Sequence, residues 1–337
     1  MPERDAAVTP PASPTVAVGT VVLNFRGSRH IEQCLASLLV CEPAPARVLV
    51  VDNGSPDDSV ELIRAWASRN EVELSELVDD ELPSGGTLPT RFALLRLTGH
   101  RGSPAGNNAG LRVLLREQAL THFLLLDNDT EVAPDYFAEL ERAIGAVPDV
   151  GMLSGTIFHF DDRERVWYAG GRTIHWRALV AHLTEVPDDR SPVPTGYVVG
   201  CAMVVSRGMV ERLGPLPECY YPVYSEDAEY SLRARRTGLP VMYAPGPVVY
   251  HKIGSSVGRA VVSPAAMYMD TRHRGFYVRR NLAGWERAAA MLYLAVTKPG
   301  RAFVELLRGR PAMAGAILRG AGSGLFSRAA SRESAPF

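Results

Sequence analysis

The chain has 337 residues, 46% hydrophobic and 22% charged, an ordinary globular composition that excludes disorder throughout. Thirty-six Lys and Arg stand against 37 Asp and Glu, and the net charge of −1 excludes a nucleic-acid-coating protein. The balance hides an asymmetry: residues 271–337 hold 12 basic and 3 acidic side chains, so the basic tail of +9 follows a body of −10. Cys34, Cys41, Cys201 and Cys219 form no CxxC pair, which argues against a zinc knuckle or a disulfide framework; Cys34 and Cys201 read as small buried hydrophobes. Met1 to Thr15, rich in Pro and Ala, reads as a disordered segment and not as a signal peptide. No run approaches the roughly 18–20 apolar residues of a membrane span, so a cytoplasmic protein is expected.

Val16 to Leu23 is a continuous apolar run that predicts a strand buried on both faces. A turn, Asn24 to Gly27, leads to a helix from about Ser28 with Ile31, Leu35, Leu38 and Leu39 at helical spacing. Arg47 to Val51 predicts a second strand, ending at Asp52-Asn53-Gly54-Ser55-Pro56. There Ser55 reads as the N-cap and Pro56 as the first residue of a helix through Val60, Ile63 and Ala67. Asp79 to Thr90 reads as a loop. Phe92 to Leu97 is another strand, followed by a Gly-rich loop, Gly102 to Gly110, and a helix through Leu111, Leu114 and Leu115. His122 to Leu126 is a fourth buried strand. This alternation predicts a parallel sheet with helices on its faces, whose ligands bind beyond the strands' carboxyl ends. Those ends carry Asn24, Asp52, the Gly102–Gly110 loop and Asp127. Further on, Gly151–Phe158, Tyr197–Val205 and Val241–Tyr250 read as strands and Ser225–Arg236 as a helix. Asp161–Pro194 reads as irregular, and the tail from Ala265 as helices broken at Pro299 and Pro311.

Three groups of residues carry chemistry. Asp127-Asn128-Asp129 closes a buried strand, and two carboxylates on alternate positions there can aim at one hard cation such as Mg²⁺ or Mn²⁺; the ordinary alternative is an Asx turn. Glu226-Asp227-Ala228-Glu229 opens a helix, where acidic residues also simply complement the dipole. Its carboxylates are crowded, which raises a pKa toward that of a general base, and the preceding Tyr220-Tyr221-Pro222-Val223-Tyr224 is an aromatic lip fit for a sugar face. His251 follows an apolar strand and is a candidate ligand. Gly106-Asn107-Asn108-Ala109-Gly110 is neither GxGxxG nor a Walker loop.

In this order, strand–Asn24, Val50-Val51-Asp52-Asn53-Gly54-Ser55, Gly106–Gly110, Leu125-Leu126-Asp127-Asn128-Asp129, Gly200-Cys201-Ala202-Met203, Glu226–Arg233 and His251, the chain resembles glycosyltransferase family 2, and within it the bacterial rhamnosyltransferase-type members. The likeness spans about residues 16–258. It implies a GT-A fold: an α/β, Rossmann-like, mostly parallel central sheet with helices on both faces, here with a helical C-terminal extension. It implies a domain over 16–262, split into a nucleotide-sugar half (16–130) and an acceptor half (131–262), then a basic extension over 263–337. Inverting transfer from a UDP, dTDP or GDP sugar, with a divalent metal, to a glycan, glycolipid or natural product is implied as well.

Residue by residue, the resemblance gives Asp52 to the pyrimidine base and Asp127 to the ribose side of the D-x-D. It assigns Asp129 to the metal, with Asp127 and His251 beside it, and Asp227, with Glu226, to catalysis as base. Asn24, Asn53, Gly106 and Asn107 fall in the donor-binding segments. Departures lie at His100-Arg101-Gly102, where Asn often precedes the Gly-rich segment, at Glu229, where Asp is usual, and at Leu216-Pro217-Glu218 in place of Phe-Asp-Glu. The rival readings are a sugar-nucleotide nucleotidyltransferase and a non-catalytic nucleotide-sugar-binding protein. For the tail, helices on an anionic membrane face, packing on the acidic body and a homodimer interface are all open.

Overall fold

The computed structural model describes residues 16–78, 87–252 and 263–328. The first half runs β1 (Val18–Asn24), α1 (Ile31–Leu39), β2 (Arg47–Asp52), α2 (Ser59–Arg69), β3 (Leu74–Val78), β4 (Phe92–Arg96), α3 (Ser103–Leu114), β5 (His122–Asp127), β6 (Thr130–Val132) and α4 (Tyr136–Ala146). Next come β7 (Met152–His159), β8 (Asp162–Tyr168), β9 (Gly171–Ile174), β10 (Leu179–His182), β11 (Val193–Pro194), β12 (Ala202–Ser206), α5 (Arg207–Leu213), α6 (Glu226–Arg236) and β13 (Val241–His251). The tail is α7 (Pro264–Asn281), α8 (Gly284–Leu307) and α9 (Pro311–Phe326).

The central sheet has the order β11-β13-β7-β12-β5-β1-β2-β4-β3, with β6 on β13 and β8 on β7; β9 and β10 form a separate hairpin. The block β5-β1-β2-β4-β3 is parallel, and β12 enters antiparallel between β5 and β7. Alternate residues serve opposite faces, as a strand's period of two requires. Val22, Val50 and Leu126 join the core layer under α1, α2 and α4, whereas Val21, Val51 and Leu125 join the one under α3 and α5. Each such fully buried side chain contributes about 1.5–3 kcal/mol. The register aligns Asn24 with Asp52 and Leu23 with Asp127, so the polar residues that end three strands stand side by side at one edge.

The structure corrects several expectations. Gly102–Gly110 is not a loop, because α3 begins at Ser103 with Pro104 in its first turn. Its glycines serve close packing: a Cβ on Gly106 would lie 2.5 Å from Leu23 Cδ1, and one on Gly110 2.6 Å from Val21 Cγ1. α2 starts at Ser59, not Pro56, since Ser55 is drawn into hydrogen bonds with Asn24 and Arg26. Leu74–Val78, an unanticipated strand, is a half-exposed sheet edge with no continuous apolar run. The region 161–194 is also ordered into strands, held by edge-to-face contacts of Trp167 and Tyr168 with His182. The strand expected from Tyr197 starts only at Ala202. In the tail, Pro299 lies inside α8 on its exposed side, where Ala295, four residues back, is exposed too and its carbonyl can meet water. The chain breaks instead at Leu282–Ala283, and Pro311 starts α9.

The four cysteines are free and buried. α7 and α9 cross at glycines, a Cβ on Gly275 falling 2.7 Å from the Gly324 backbone, and Tyr277 and Val278 of α7 with Leu294 of α8 cover Ala228 and Leu232 of α6. Among the described residues no helix is long and apolar enough to cross a membrane. The expected disordered segment 1–15 and most of the loop beginning at Asp79 lie outside the described residues.

Candidate active site

The carboxyl edge of the sheet is built around Asn24, which is fully buried. Its Nδ2 lies within donating distance of Asp52 Oδ1 (2.9 Å), Ser59 Oγ (2.9 Å) and Ser55 Oγ (3.2 Å), and its Oδ1 accepts from Asn128 Nδ2 (2.8 Å). Asn24 is therefore a brace between β1, β2 and β5, with its amide committed to the protein. Asp52 turns its second oxygen to the Ser55 N–H (3.3 Å). Asn53 donates to the Gly102 carbonyl (3.0 Å) and accepts from Arg101 N (2.9 Å), pinning the entry to α3. Gly106 lets that helix approach Leu23. Asn107 is buried with its Oδ1 unpartnered, an acceptor available to a ligand. Its neighbour Asn108, not anticipated, clamps the Leu216 backbone and Glu218.

Asp127 ends β5, and its N–H bonds the Cys201 carbonyl (3.0 Å) across the antiparallel pair. That bond fixes the segment whose Gly200 N–H donates to Asp227 Oδ2 (3.1 Å), while Ala228 N–H donates to Asp227 Oδ1 (2.7 Å). Backbone register thus brings the two acidic motifs, a hundred residues apart in sequence, to one cleft. Burial lifts the Asp127 carboxyl to about 7, helped by the charges of Asp129 and Asp227 and opposed by His251. Burial also raises Asp227, against the pull of its backbone hydrogen bonds. Glu226 is 6% exposed with Oε2 unpartnered, and burial followed by the Asp227 charge pushes its carboxyl well above the ordinary carboxylate value. The turn that delivers this pair is strained: Tyr224 and Ser225 both adopt left-handed φ (86° and 77°), a conformation that persists when surrounding structure enforces it and that clusters at functional sites.

His251 ends β13, with Nε2 3.3 Å from Asp129 Oδ1; Asp129 is only 3% exposed. Burial works to lower the imidazole, but Cys201 and Asp129 outweigh it and hold it above its ordinary value. Among the described residues no three His, Cys, Asp or Glu side chains converge into a complete cation site. A buried carboxylate–imidazole pair beside a second carboxylate still fits Mg²⁺ or Mn²⁺, which keep open positions for substrate phosphates rather than requiring an all-protein cage.

The aromatic lip divides. Tyr220 is core, donating to Glu229 Oε2 (2.6 Å), whereas Tyr221 is 48% exposed and its ring lies edge-on to His100, which itself packs on Phe25 (centroids 3.9 Å). Glu229, 2% exposed, also accepts from Arg280 (Nη2–Oε1 2.8 Å, Nε–Oε2 2.9 Å) and Asn281 Nδ2 (2.8 Å). Burial alone would raise this carboxyl; the hydrogen bonds, that of Arg280 foremost, hold it below its usual range. His273 Nδ1 bonds the Val223 carbonyl (3.0 Å), so α7 holds the chain on both sides of Asp227, at Val223 before it and at Glu229 after it. Trp167, whose ring lies 5.0 Å from that of His251, walls the other side.

A parallel block continued by a mixed half, with carboxylates at the shared edge, is the architecture of GT-A glycosyltransferases. The chain belongs to the family described as "Glycosyl transferase family 2", whose model matches residues 20–214, more than half of its length. It is 25% identical over 295 residues (81% of this chain, 88% of the relative) to N-acetylglucosaminyl-diphospho-decaprenol L-rhamnosyltransferase of Mycobacterium tuberculosis. It is 23% identical over 224 residues (66% and 62%) to the low-salt glycan biosynthesis hexosyltransferase Agl10 of Haloferax volcanii. In fold it is similar to the mannosyltransferase PcManGT of Pyrobaculum calidifontis solved with GDP-Man and Mn²⁺ (TM-score 0.53, 19% identity, 96% of this chain and 90% of that one). It is also similar to GalNAc-T7 solved with UDP, GalNAc and Mn²⁺ (TM-score 0.61, 13% identity, 85% of this chain), spanning 51% of that longer chain. The chain is a glycosyltransferase.

Proposed function

We propose that the chain is an inverting, metal-dependent transferase that moves a hexose or deoxyhexose such as rhamnose from a UDP, dTDP or GDP sugar to a saccharide hydroxyl. Residues 16–130 would hold the nucleotide, residues 131–262 would receive the acceptor, and the helices from 263 would buttress both. The observation that carries this is the Asp227 carboxylate, oriented by the Gly200 and Ala228 N–H groups in the cleft that also holds Asp127, Asp129 and His251. Asp227 takes the acceptor's hydroxyl proton as the acceptor oxygen bonds the anomeric carbon, and the bond from that carbon to the diphosphate oxygen breaks to release the nucleoside diphosphate. Asp52 and Asn107 face the nucleotide, and Asp127 its ribose. A divalent cation held by Asp129 and His251, with Asp127 beside them, would supply charge stabilisation to the departing diphosphate.

Relatives' names support the acceptor class: one acts on a diphospho-decaprenol-linked sugar. We infer a lipid-linked saccharide acceptor, met by a chain that associates peripherally with the inner face of the membrane. A nucleotidyltransferase is disfavoured, because Phe25-Arg26-Gly27 is too short for a phosphate loop and Gly27 packs directly on the Asn24 amide.

A thermal-shift panel of UDP, dTDP and GDP sugars with Mn²⁺ tests the reading: the matching donor at about 100 times its Kd adds about 2.7 kcal/mol of stability. No shift from any nucleotide sugar refutes it. With too few ligands among the described residues for a closed cage, Mn²⁺ alone is expected to bind far more weakly than Mn²⁺ with nucleoside diphosphate, by calorimetric titration; equal affinities would show a free-standing metal site. Asp129→Asn is expected to abolish metal-dependent donor binding and turnover. Full activity with unchanged metal demand would remove Asp129 from this role.

A further inference from the structure

The tail's longest helix is apolar on both sides, and its inward face also holds a buried Lys298 and Glu305. α8 turns Ala290, Leu294, Lys298, Ala302 and Glu305 inward, where Lys298 Nζ meets Asp270 Oδ2 (3.6 Å) and Thr271 Oγ1 (3.4 Å), and Glu305 pairs with Arg308 and Arg310. Outward it presents Trp285, Leu292, Val296, Phe303 and Leu307, which are 75%, 66%, 64%, 60% and 73% exposed. At 3.6 residues per turn these five fall within a sector of about 60°, and no charged residue of α8 enters it. From Trp285 to Leu307 the strip is about 33 Å long at 1.5 Å rise per residue. A surface helix normally buries such a face, and monomeric soluble proteins rarely leave a contiguous apolar strip of this extent open. At the β9–β10 turn Trp176, 49% exposed, lies edge-on to Tyr293 of α8 (5.4 Å) and adds to the apolar surface.

Charge selects the occupant. From Pro264 to Arg328 the tail holds eleven Arg and Lys against three Asp and Glu. A second copy docked through the same face would set one positive tail against another. An anionic bilayer offers both complements, hydrocarbon for the strip and negative headgroups for the basic excess. We propose that α8 lies in the surface of an anionic membrane, its Trp285–Leu307 strip set into the headgroup boundary. The geometry stands without the sugar chemistry, yet it deepens the lipid-linked acceptor reading by naming the face that would bring the cleft to the bilayer.

The test is co-sedimentation of the full chain with vesicles of phosphatidylcholine alone or mixed with phosphatidylglycerol, at low and high salt. Recovery with the anionic vesicles that salt reduces is expected. Val296→Glu combined with Phe303→Glu is expected to weaken it by about tenfold or more, leaving the thermal shift by nucleotide sugar and its slow metal-dependent hydrolysis unchanged. Equal recovery with neutral and anionic vesicles, or no recovery, overturns the proposal. So does a lipid-free wild-type dimer that the double variant converts to monomer. Because hydrolysis is read separately, loss of vesicle binding with hydrolysis intact counts against the membrane face alone, and absent hydrolysis with vesicle binding intact against the transferase reading.

Discussion

Asp227→Asn is expected to lower turnover by about 10²–10⁴, the range for losing a positioned general base, while donor binding stays near that of the wild type. The expectation follows from the contacts. Both carboxylate oxygens are oriented by backbone N–H groups, Gly200 on one and Ala228 on the other, so the side chain has one fixed aim and no cationic partner in those contacts. An amide can accept from only one of the two donors and cannot take the acceptor's proton. The neighbouring Glu226 is a poor substitute, since burial, the largest cause of its raised carboxyl, persists when the Asp227 charge is removed. Single-turnover kinetics with nucleotide-sugar titration separate the two effects; a loss of donor affinity as large as the loss of rate would make Asp227 a binding residue.

The four buried strands of the first half were legible because a strand covered on both faces must be apolar at every position, and their ends therefore stood out as the first polar residues, Asn24, Asp52 and Asp127. The same logic failed where burial is one-sided. Leu74–Val78 pairs only with β4, and β8 to β10 depend on ring contacts of Trp167, Tyr168 and His182 that no local pattern announces. Glycine misled for a related reason: at Gly106 and Gly110 it makes room for the sheet, a need set by residues some eighty positions earlier. At the site, the motif order placed Asp127, Asp129, Asp227 and His251 together, but it could not separate residues that face the cleft from those that build it. Asn24 and Asn53, expected at the donor, also spend their amides on hydrogen bonds that brace the sheet edge and the entry to α3. The partners of Glu229, namely Arg280 and Asn281, sit fifty residues away on a helix whose charge is mostly basic and whose sequence does not mark which residue turns inward.

Arg280→Met is expected to destabilise the fold by about 3–5 kcal/mol, the usual result of leaving a buried charge without its partner. Glu229 is 2% exposed and Arg280 19%, so solvent does little to screen the pair, and Tyr220 and Asn281 saturate the same carboxylate. The acid limb of stability gives the sign. Glu229 titrates below its ordinary value when folded, so its contribution is present above the unfolded pKa of about 4.3 and is lost as pH falls through the folded value. Wild-type stability should therefore decline below about pH 4 more steeply than that of Glu229→Gln, which keeps the side chain's shape without the charge. The network also reaches the chemistry. Glu229 lies two residues beyond Asp227, and α7, which carries Arg280, holds the Val223 carbonyl through His273 ahead of the strained turn. Arg280→Lys, which keeps the charge but not the forked geometry, should recover part of the stability yet still lower kcat more than it raises KM. Urea unfolding across pH, paired with kinetics on the same variants, decides the matter: an Arg280→Met protein within about 1 kcal/mol of wild type would make the ion pair incidental.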